Sequence, residues 1–214
     1  MRQPPGFEAE GKENHNKRLD EVLTKNGFRA AAADPCLYVK DDGKAKVILM
    51  VYVDDLLVAS TDEGELAKIC EGLQADFELT CLGEVRHFLG VEVQHVGGVY
   101  KLSLRNYIEK LITMFGMEEC KTAKSPMDAG YLKVTDTGEA FKDPTSYRSL
   151  VGGLLYLAVV ARPDIAATAA ILGRKFNEPR ECDWTAAKRA LRYLKATKFH
   201  RLQLGGDSKQ GLIC

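Results

Sequence analysis

Two adjacent carboxylates, Asp54 and Asp55, interrupt an otherwise apolar and β-branched run covering residues 47–59. Burying an ionised carboxylate costs several kcal/mol unless a partner compensates it. A hairpin that carries both aspartates at its tip, beside a bound divalent cation, removes that cost. Hard divalent cations favour carboxylate oxygens, and the phosphates of a nucleotide can complete the coordination shell. The chemistry to expect from this arrangement is metal-assisted transfer at phosphorus. A plain solvated Asp-Asp turn is the competing reading, because turns are rich in aspartate.

A second set of charges lies near the other end of the chain. Lys188, Arg192 and Lys195 fall on one helical face, opposite Trp184, Leu191 and Leu194. That face is either a ridge that tracks nucleic-acid phosphates or the solvated side of an ordinary amphipathic helix. Trp184 is expected in the core. Arg162, just ahead of Pro163, fits a helix connection better than an anion site. His15, His87, His95 and His200 show no ligand spacing, and the six cysteines form neither a C-x-x-C pair nor a C/H zinc pattern. Reduced thiols of an intracellular protein are the expectation.

Composition narrows the classes further. Lys+Arg and Asp+Glu each number 30, so the formal net charge is zero. A dedicated nucleic-acid binder is usually basic overall, so binding would have to rest on a local basic face. Residues 1–14 are rich in Pro, Gly and charge and lack the apolar stretch of a signal peptide. The longest apolar run, residues 151–161, is too short to span a bilayer and is broken by Gly152 and Gly153. A soluble protein with no membrane partner is expected.

The elements that must position these residues follow from periodicity. Residues 15–26 read as a helix closed by Gly27. A short strand starts near Cys36, Asp41-Asp42-Gly43-Lys44 has hairpin-turn chemistry, and residues 47–53 read as a strand buried on both faces. Ser60 and Glu63 are spaced as a capping box for a helix carrying Leu66, Ile69, Cys70, Leu73 and Phe77. Residues 88–96 alternate as a single strand, Gly97-Gly98 turns, and residues 99–104 return. Tyr107, Ile108, Leu111, Ile112 and Phe115 mark another amphipathic helix. Periodicity lapses over residues 118–142, and three helices follow at 144–161, 163–176 and 181–197, with a strand near 200–204. The fold class is α+β: an antiparallel sheet with helices, followed by a mainly helical region. The expected organisation is an arm and leading helix at 1–26, an α+β unit at 27–117, a linker at 118–142 and a helical region at 143–214.

Several motifs, in order, carry a family resemblance. Tyr52-Val53-Asp54-Asp55, behind its apolar strand, resembles the catalytic hairpin of reverse transcriptases of the copia type of retrotransposon. Met1-Arg2-Gln3-Pro4-Pro5-Gly6-Phe7, Asn26-Gly27-Phe28 and Asp34-Pro35-Cys36-Leu37-Tyr38 are similar to the stretches ahead of that hairpin. Leu82-Gly83-Glu84 with Phe88-Leu89-Gly90-Val91-Glu92 resembles the strand pair beyond it. Tyr147-Arg148-Ser149-Leu150-Val151-Gly152-Gly153-Leu154-Leu155-Tyr156-Leu157 and Ala161-Arg162-Pro163-Asp164-Ile165 are similar to the helical region ahead of the RNase H domain. The resemblance makes 27–117 a palm-like unit, part of a polymerase palm carrying the hairpin, and 143–214 the helical thumb and connection region.

The resemblance implies RNA-directed DNA synthesis, in which a primer 3′-hydroxyl attacks the α-phosphorus of a dNTP. It implies Asp54 and Asp55 as catalytic metal ligands, with Mg²⁺, or Mn²⁺ in its place, as cofactor. Tyr52, Phe88, Leu89 and Gly90 would contact the primer, and Lys188, Arg192 and Lys195 the nucleic acid. The partners are an RNA template/DNA primer hybrid and dNTP, together with the remaining polymerase and RNase H segments of the polyprotein. The setting is cytoplasmic, within a virus-like particle in the parent element. The family's third carboxylate lies ahead of the segment resembled by residues 1–7, and Glu8, Glu10, Glu13 and Asp34 sit in loop-like contexts. The expectation is therefore a fragment inactive alone. A host-reused module that binds protein or nucleic acid without catalysis is the alternative.

Overall fold

The computed structural model describes residues 13–133 and 138–205. The chain divides between Glu84 and Val85 into two compact units. That division falls inside the segment 27–117 read above as one palm-like unit.

The first unit holds α1 (Glu13–Lys25), β1 (Arg29–Ala30), β2 (Leu37–Asp41), β3 (Lys46–Tyr52), β4 (Asp55–Ser60) and α2 (Glu63–Asp76). The strands form an antiparallel sheet in the order β1-β2-β3-β4. Gly27, at φ 86°, turns the chain out of α1, a conformation that costs glycine nothing. Leu23 of α1 and Ile69 and Leu73 of α2 pack with Tyr38, Val47 and Leu49 on one face of the sheet. Expected burial of β3 on both faces is not what the structure has. Val47 and Leu49 are buried, but Ile48 between them is 39% exposed, because both helices cover the same face. The α2 cap also differs from the Ser60/Glu63 expectation. Asp62 is the cap, accepting from the Glu65 backbone N–H at 2.8 Å, and the Ser60 hydroxyl accepts from the Asp62 N–H one step earlier.

The second unit holds β5 (His87–Phe88), β6 (Val91–Val96), β7 (Val99–Ser103), α3 (Arg105–Met114), α4 (Pro144–Val160), α5 (Ala166–Gly173), α6 (Glu181–Ala196) and β8 (Leu202–Leu204). Its sheet is antiparallel in the order β5-β6-β7-β8. The strand expected at 88–96 is broken by a turn at Leu89-Gly90, so that Phe88 pairs with Val91. The helix expected at 163–176 resolves into a 3₁₀ turn at Pro163–Ile165 and α5, which stops at Gly173. Tyr147, Leu150, Val151, Leu154 and Leu157 of α4 are fully buried against Leu172 of α5 and Leu191 and Leu194 of α6. The connecting stretch is not detached from this core: Cys120, Met127, Tyr131 and Phe141 pack against it. Trp184 joins at the rim, stacked on Phe141 with centroids 4.9 Å apart.

Candidate functional site

The hairpin that carries the paired carboxylates is set by register. Tyr52 pairs with Asp55 across β3 and β4, so Val53 and Asp54 form a two-residue turn. The tip is therefore one residue earlier than the Asp54-Asp55 pair alone suggests. Of the two turn residues only Val53 has positive φ, 53°, which matches the type II′ hairpin pattern that prefers glycine there. A β-branched side chain at this φ is strained, and it is 81% exposed, so no packing compensates for it.

Cross-strand partners project from the same face of a sheet. Tyr52 and Asp55 thus share the face opposite the helices with Leu37, Val39, Ile48, Met50, Leu57 and Ala59. Tyr52 is 53% exposed, and both aspartates are exposed. Among the described residues neither the Asp54 nor the Asp55 carboxylate has a hydrogen-bond or ion-pair partner. Two adjacent carboxylates, unclaimed by the protein, at the end of a rigid strand pair fit one side of a hard cation's shell. They do not fill it. Among the described residues no group of three or more His, Cys, Asp or Glu converges on a metal position.

The other predicted site residues lie in the second unit. Leu89 (φ 50°) and Gly90 (φ 82°) are both left-handed, the pattern of a type I′ turn. Leu89 and Val53 are the two non-glycine residues with positive φ among those described. Phe88 is half-buried and pairs with Val91 at the base of this turn.

The three basic residues of α6 do not form an open ridge. Lys195 Nζ donates to the carbonyls of Glu118 and Cys120, the latter at 2.9 Å. Lys188 Nζ sits 5.4 Å above the Trp184 ring. Arg192 Nε is buried without a hydrogen-bond partner, while its backbone carbonyl accepts from the Ala123 N–H. The neighbouring Arg189 reaches Ser125 Oγ at 3.0 Å and Asp128 at 3.5 Å. The stretch 118–128 is thus strapped along the face that the sequence leaves open.

Two further residues, to which the sequence assigns no site role, make contacts with distant partners, and the first is the helix-connection arginine expected above. Arg162 is only 2% exposed; it grips Asp164 with both ends of its guanidinium, at 2.9 and 2.7 Å, and donates to Thr197 Oγ1 and to the Thr197 carbonyl. Burial alone would push the Asp164 carboxyl up, but Arg162 and the Tyr193 hydroxyl hold it below the usual carboxylate range. This pair ties the start of the 3₁₀ turn to the end of α6, as a helix connection. The other is Tyr156, whose hydroxyl donates to the Leu89 carbonyl at 3.2 Å. Its partner is 67 residues away, and no local signal in the sequence announces it.

Comparison with known proteins adds the context of the whole chain. Residues 12–129 match the model of the family described as reverse transcriptase (RNA-dependent DNA polymerase). The chain is 32% identical to the retrovirus-related Pol polyprotein from transposon TNT 1-94 of Nicotiana tabacum, over 97% of its own length and 18% of that polyprotein's. It is 33% identical to the Pol polyprotein from transposon RE1 of Arabidopsis thaliana, over 95% of its length and 15% of the relative's. A putative transposon Ty5-1 protein of Saccharomyces cerevisiae is 30% identical over 99% of this chain and 75% of that protein. The chain spans less than a fifth of the Pol polyproteins it matches. No solved structure matches it.

Proposed function

Because the chain belongs to the reverse transcriptase family, in the form found in copia-type retrotransposons, we propose that its hairpin supplies two of the metal-binding carboxylates of an RNA-directed DNA polymerase site. The observation that carries this reading is the pair Asp54-Asp55, exposed and unclaimed at the tip of a strained hairpin. A bound Mg²⁺, or Mn²⁺, would supply charge neutralisation at the reacting phosphate. The chain's own residues do the positioning. The β3–β4 pair fixes Asp55 beside Tyr52 on one face and puts Asp54 in the turn. The Tyr52 ring, half exposed on that face, offers an apolar surface for the primer end. In the second unit, Phe88, Leu89 and Gly90 are the proposed primer-holding turn.

Two-metal transfer takes a third carboxylate, and none converges with this pair among the described residues. The 214-residue polypeptide by itself is therefore proposed to bind a divalent ion weakly and not to extend a primer. Two carboxylates supply fewer oxygens than the weakest class of calcium module, whose dissociation constants are about 0.1–1 mM, so binding in the millimolar range is expected. Mn²⁺ titration followed by paramagnetic broadening of backbone amide signals tests this. Broadening centred on residues 52–56, lost in Asp54→Asn and in Asp55→Asn, is the expected result. Broadening elsewhere, or none at several millimolar Mn²⁺, removes the metal-binding reading. Template-dependent incorporation by the wild-type polypeptide that vanishes in Asp54→Asn would show the site to be complete after all.

A second reading, a non-catalytic binding module, draws on the open sheet face. Leu37, Val39, Ile48, Met50 and Leu57 form a continuous apolar set opposite the helices, of the kind that marks an interaction surface. Ile48→Lys with Met50→Lys separates the readings. Loss of hybrid binding in this variant with intact metal binding places nucleic acid on the face, whereas unchanged hybrid binding leaves the face to a protein partner.

A further inference from the structure

We propose that Tyr156 is a positioning residue for the Leu89-Gly90 turn, and that α4 sets through it how the primer end is held. The proposal rests on the primer-holding role assigned to Phe88, Leu89 and Gly90 above. Its own support is geometric. The turn places a leucine at φ 50°, outside the range comfortable for a branched side chain, so something must hold it there. The Leu89 carbonyl accepts a hydrogen bond from the Tyr156 hydroxyl at 3.2 Å. A Cβ built on Gly90 would stand 3.7 Å from the same hydroxyl, which is ordinary contact. Gly90 is therefore needed for its φ of 82°, while the space beside it already belongs to Tyr156.

The tyrosine is itself fixed. Its ring meets Tyr107 of α3 edge-on, with centroids 4.8 Å apart and planes at 61°. One helical turn earlier on α4, Gly153 lets α3 close in: a Cβ there would lie 3.0 Å from both Leu111 methyls and 3.3 Å from the Tyr107 hydroxyl. The close approach of α3 and α4 thus aims Tyr107, Tyr107 aims Tyr156, and Tyr156 holds the tip of the β5–β6 hairpin. The hydroxyl lies outside the buried core and spends its bond on a turn, not on another helix. A phenylalanine would fill the same volume and keep the ring contact. What it would lose is the hold on Leu89.

Tyr156→Phe in the full 214-residue chain tests this. A DNA primer ending in 4-thiothymidine, annealed to RNA, reports by photocrosslinking which peptide touches the primer end. Amide exchange at Val91, the residue paired with Phe88 across the turn, reports the turn without nucleic acid. Loss of one exposed hydrogen bond corresponds to about fivefold in an equilibrium. The expected result is about fivefold less crosslinking to the peptide containing residues 87–91 and about fivefold faster Val91 exchange. The unfolding midpoint and total hybrid affinity should stay close to wild type. Equal crosslinking by wild type and Tyr156→Phe overturns the proposal alone. A parallel fall in midpoint, affinity and crosslinking also overturns it, since that marks a merely structural residue. If the wild type binds the hybrid but crosslinks at some other peptide, the primer-holding role of the turn falls, and this proposal falls with it.

Discussion

Adjacent glycines in α4 should respond to the same substitution with opposite sign. Gly152 is exposed, and a Cβ there meets nothing within 4 Å. Gly152→Ala then gains only helix propensity and reduced unfolded-state freedom, about 0.5–1 kcal/mol in favour of folding. Gly153 is buried, and its added Cβ would press two Leu111 methyls at 3.0 Å and the Tyr107 hydroxyl at 3.3 Å. Carbon contacts are comfortable at about 3.5–4.0 Å, so Leu111 must retreat by roughly half an ångström or more. Leu111 is itself only 3% exposed and has nowhere to go. Overpacking of this kind costs about 1–3 kcal/mol, which outweighs the propensity gain and leaves Gly153→Ala about 1 kcal/mol destabilised. The two variants should thus differ by about 2 kcal/mol. The chain's single tryptophan, Trp184, lies in the second unit and reports its unfolding in urea by fluorescence. Midpoints should move in opposite directions at constant slope. Equal stabilisation by both alanines would show that α3 and α4 are not in close contact at Gly153, and would undercut the chain of contacts through Tyr107 to Tyr156.

Val53→Gly should stabilise the first unit by about 1 kcal/mol in denaturant unfolding, since it relieves a β-branched residue at φ 53°; destabilisation would mean the turn is not of the type described. Arg162→Ala should destabilise the second unit by about 2–4 kcal/mol, because it strands Asp164 and empties a buried space; a loss under 1 kcal/mol would refute the connecting role. The Asp164 carboxyl is held low in the folded state, so its contribution is present above the unfolded value of about 3.9 and is lost on acidification through the folded value. Asp164→Asn should flatten the stability profile below pH about 4 and leave the profile between about 5 and 8 parallel to wild type. Replacing Lys188, Arg192 and Lys195 by alanine should change the slope of log affinity for a hybrid against log salt by less than 2. Three free phosphate contacts would give roughly 2–3, and Lys195 is already held by two carbonyls. The full change of 3, read by fluorescence anisotropy, would show that nucleic acid displaces the stretch 118–128.

Local chemistry made much of the first unit readable. The run ahead of Asp54, the Asp-Asp-Gly turn and the amphipathic stripe of α2 each act over a few residues, and each appears where periodicity puts it. The one-residue offset at the hairpin tip has a different origin. It is decided by the pairing of Tyr52 with Asp55, which composition does not encode. The break at Leu89-Gly90 escaped for a similar reason: Leu89, Val91 and Val93 keep a period-two apolar pattern straight through a turn whose first residue is leucine. Pairing of β8 with β7, the strap of 118–128 on α6 and the Tyr156–Leu89 bond all join residues far apart in sequence. Helical periodicity groups Lys188, Arg192 and Lys195, but the reading that sets them opposite Trp184 is corrected by Lys188 lying over the Trp184 ring, and periodicity has no means of saying that an aperiodic stretch lies across the helix there.

The last strand has a consequence for how the protein is made. β8 closes the sheet of the second unit at its β7 edge, with Leu202 opposite Leu102 and Leu204 opposite Tyr100. During translation the β7 edge therefore waits while about a hundred further residues are added, some 5–20 s at ordinary elongation rates. Over that interval its unpaired backbone groups form an open strand edge, the kind that recruits other chains. α3 and α4 can pair early from nearby sequence, so a helical nucleus should form first and the sheet should be finished last. The nascent chain would then pass through its most aggregation-prone stage just before release of residues 202–204 from the ribosome.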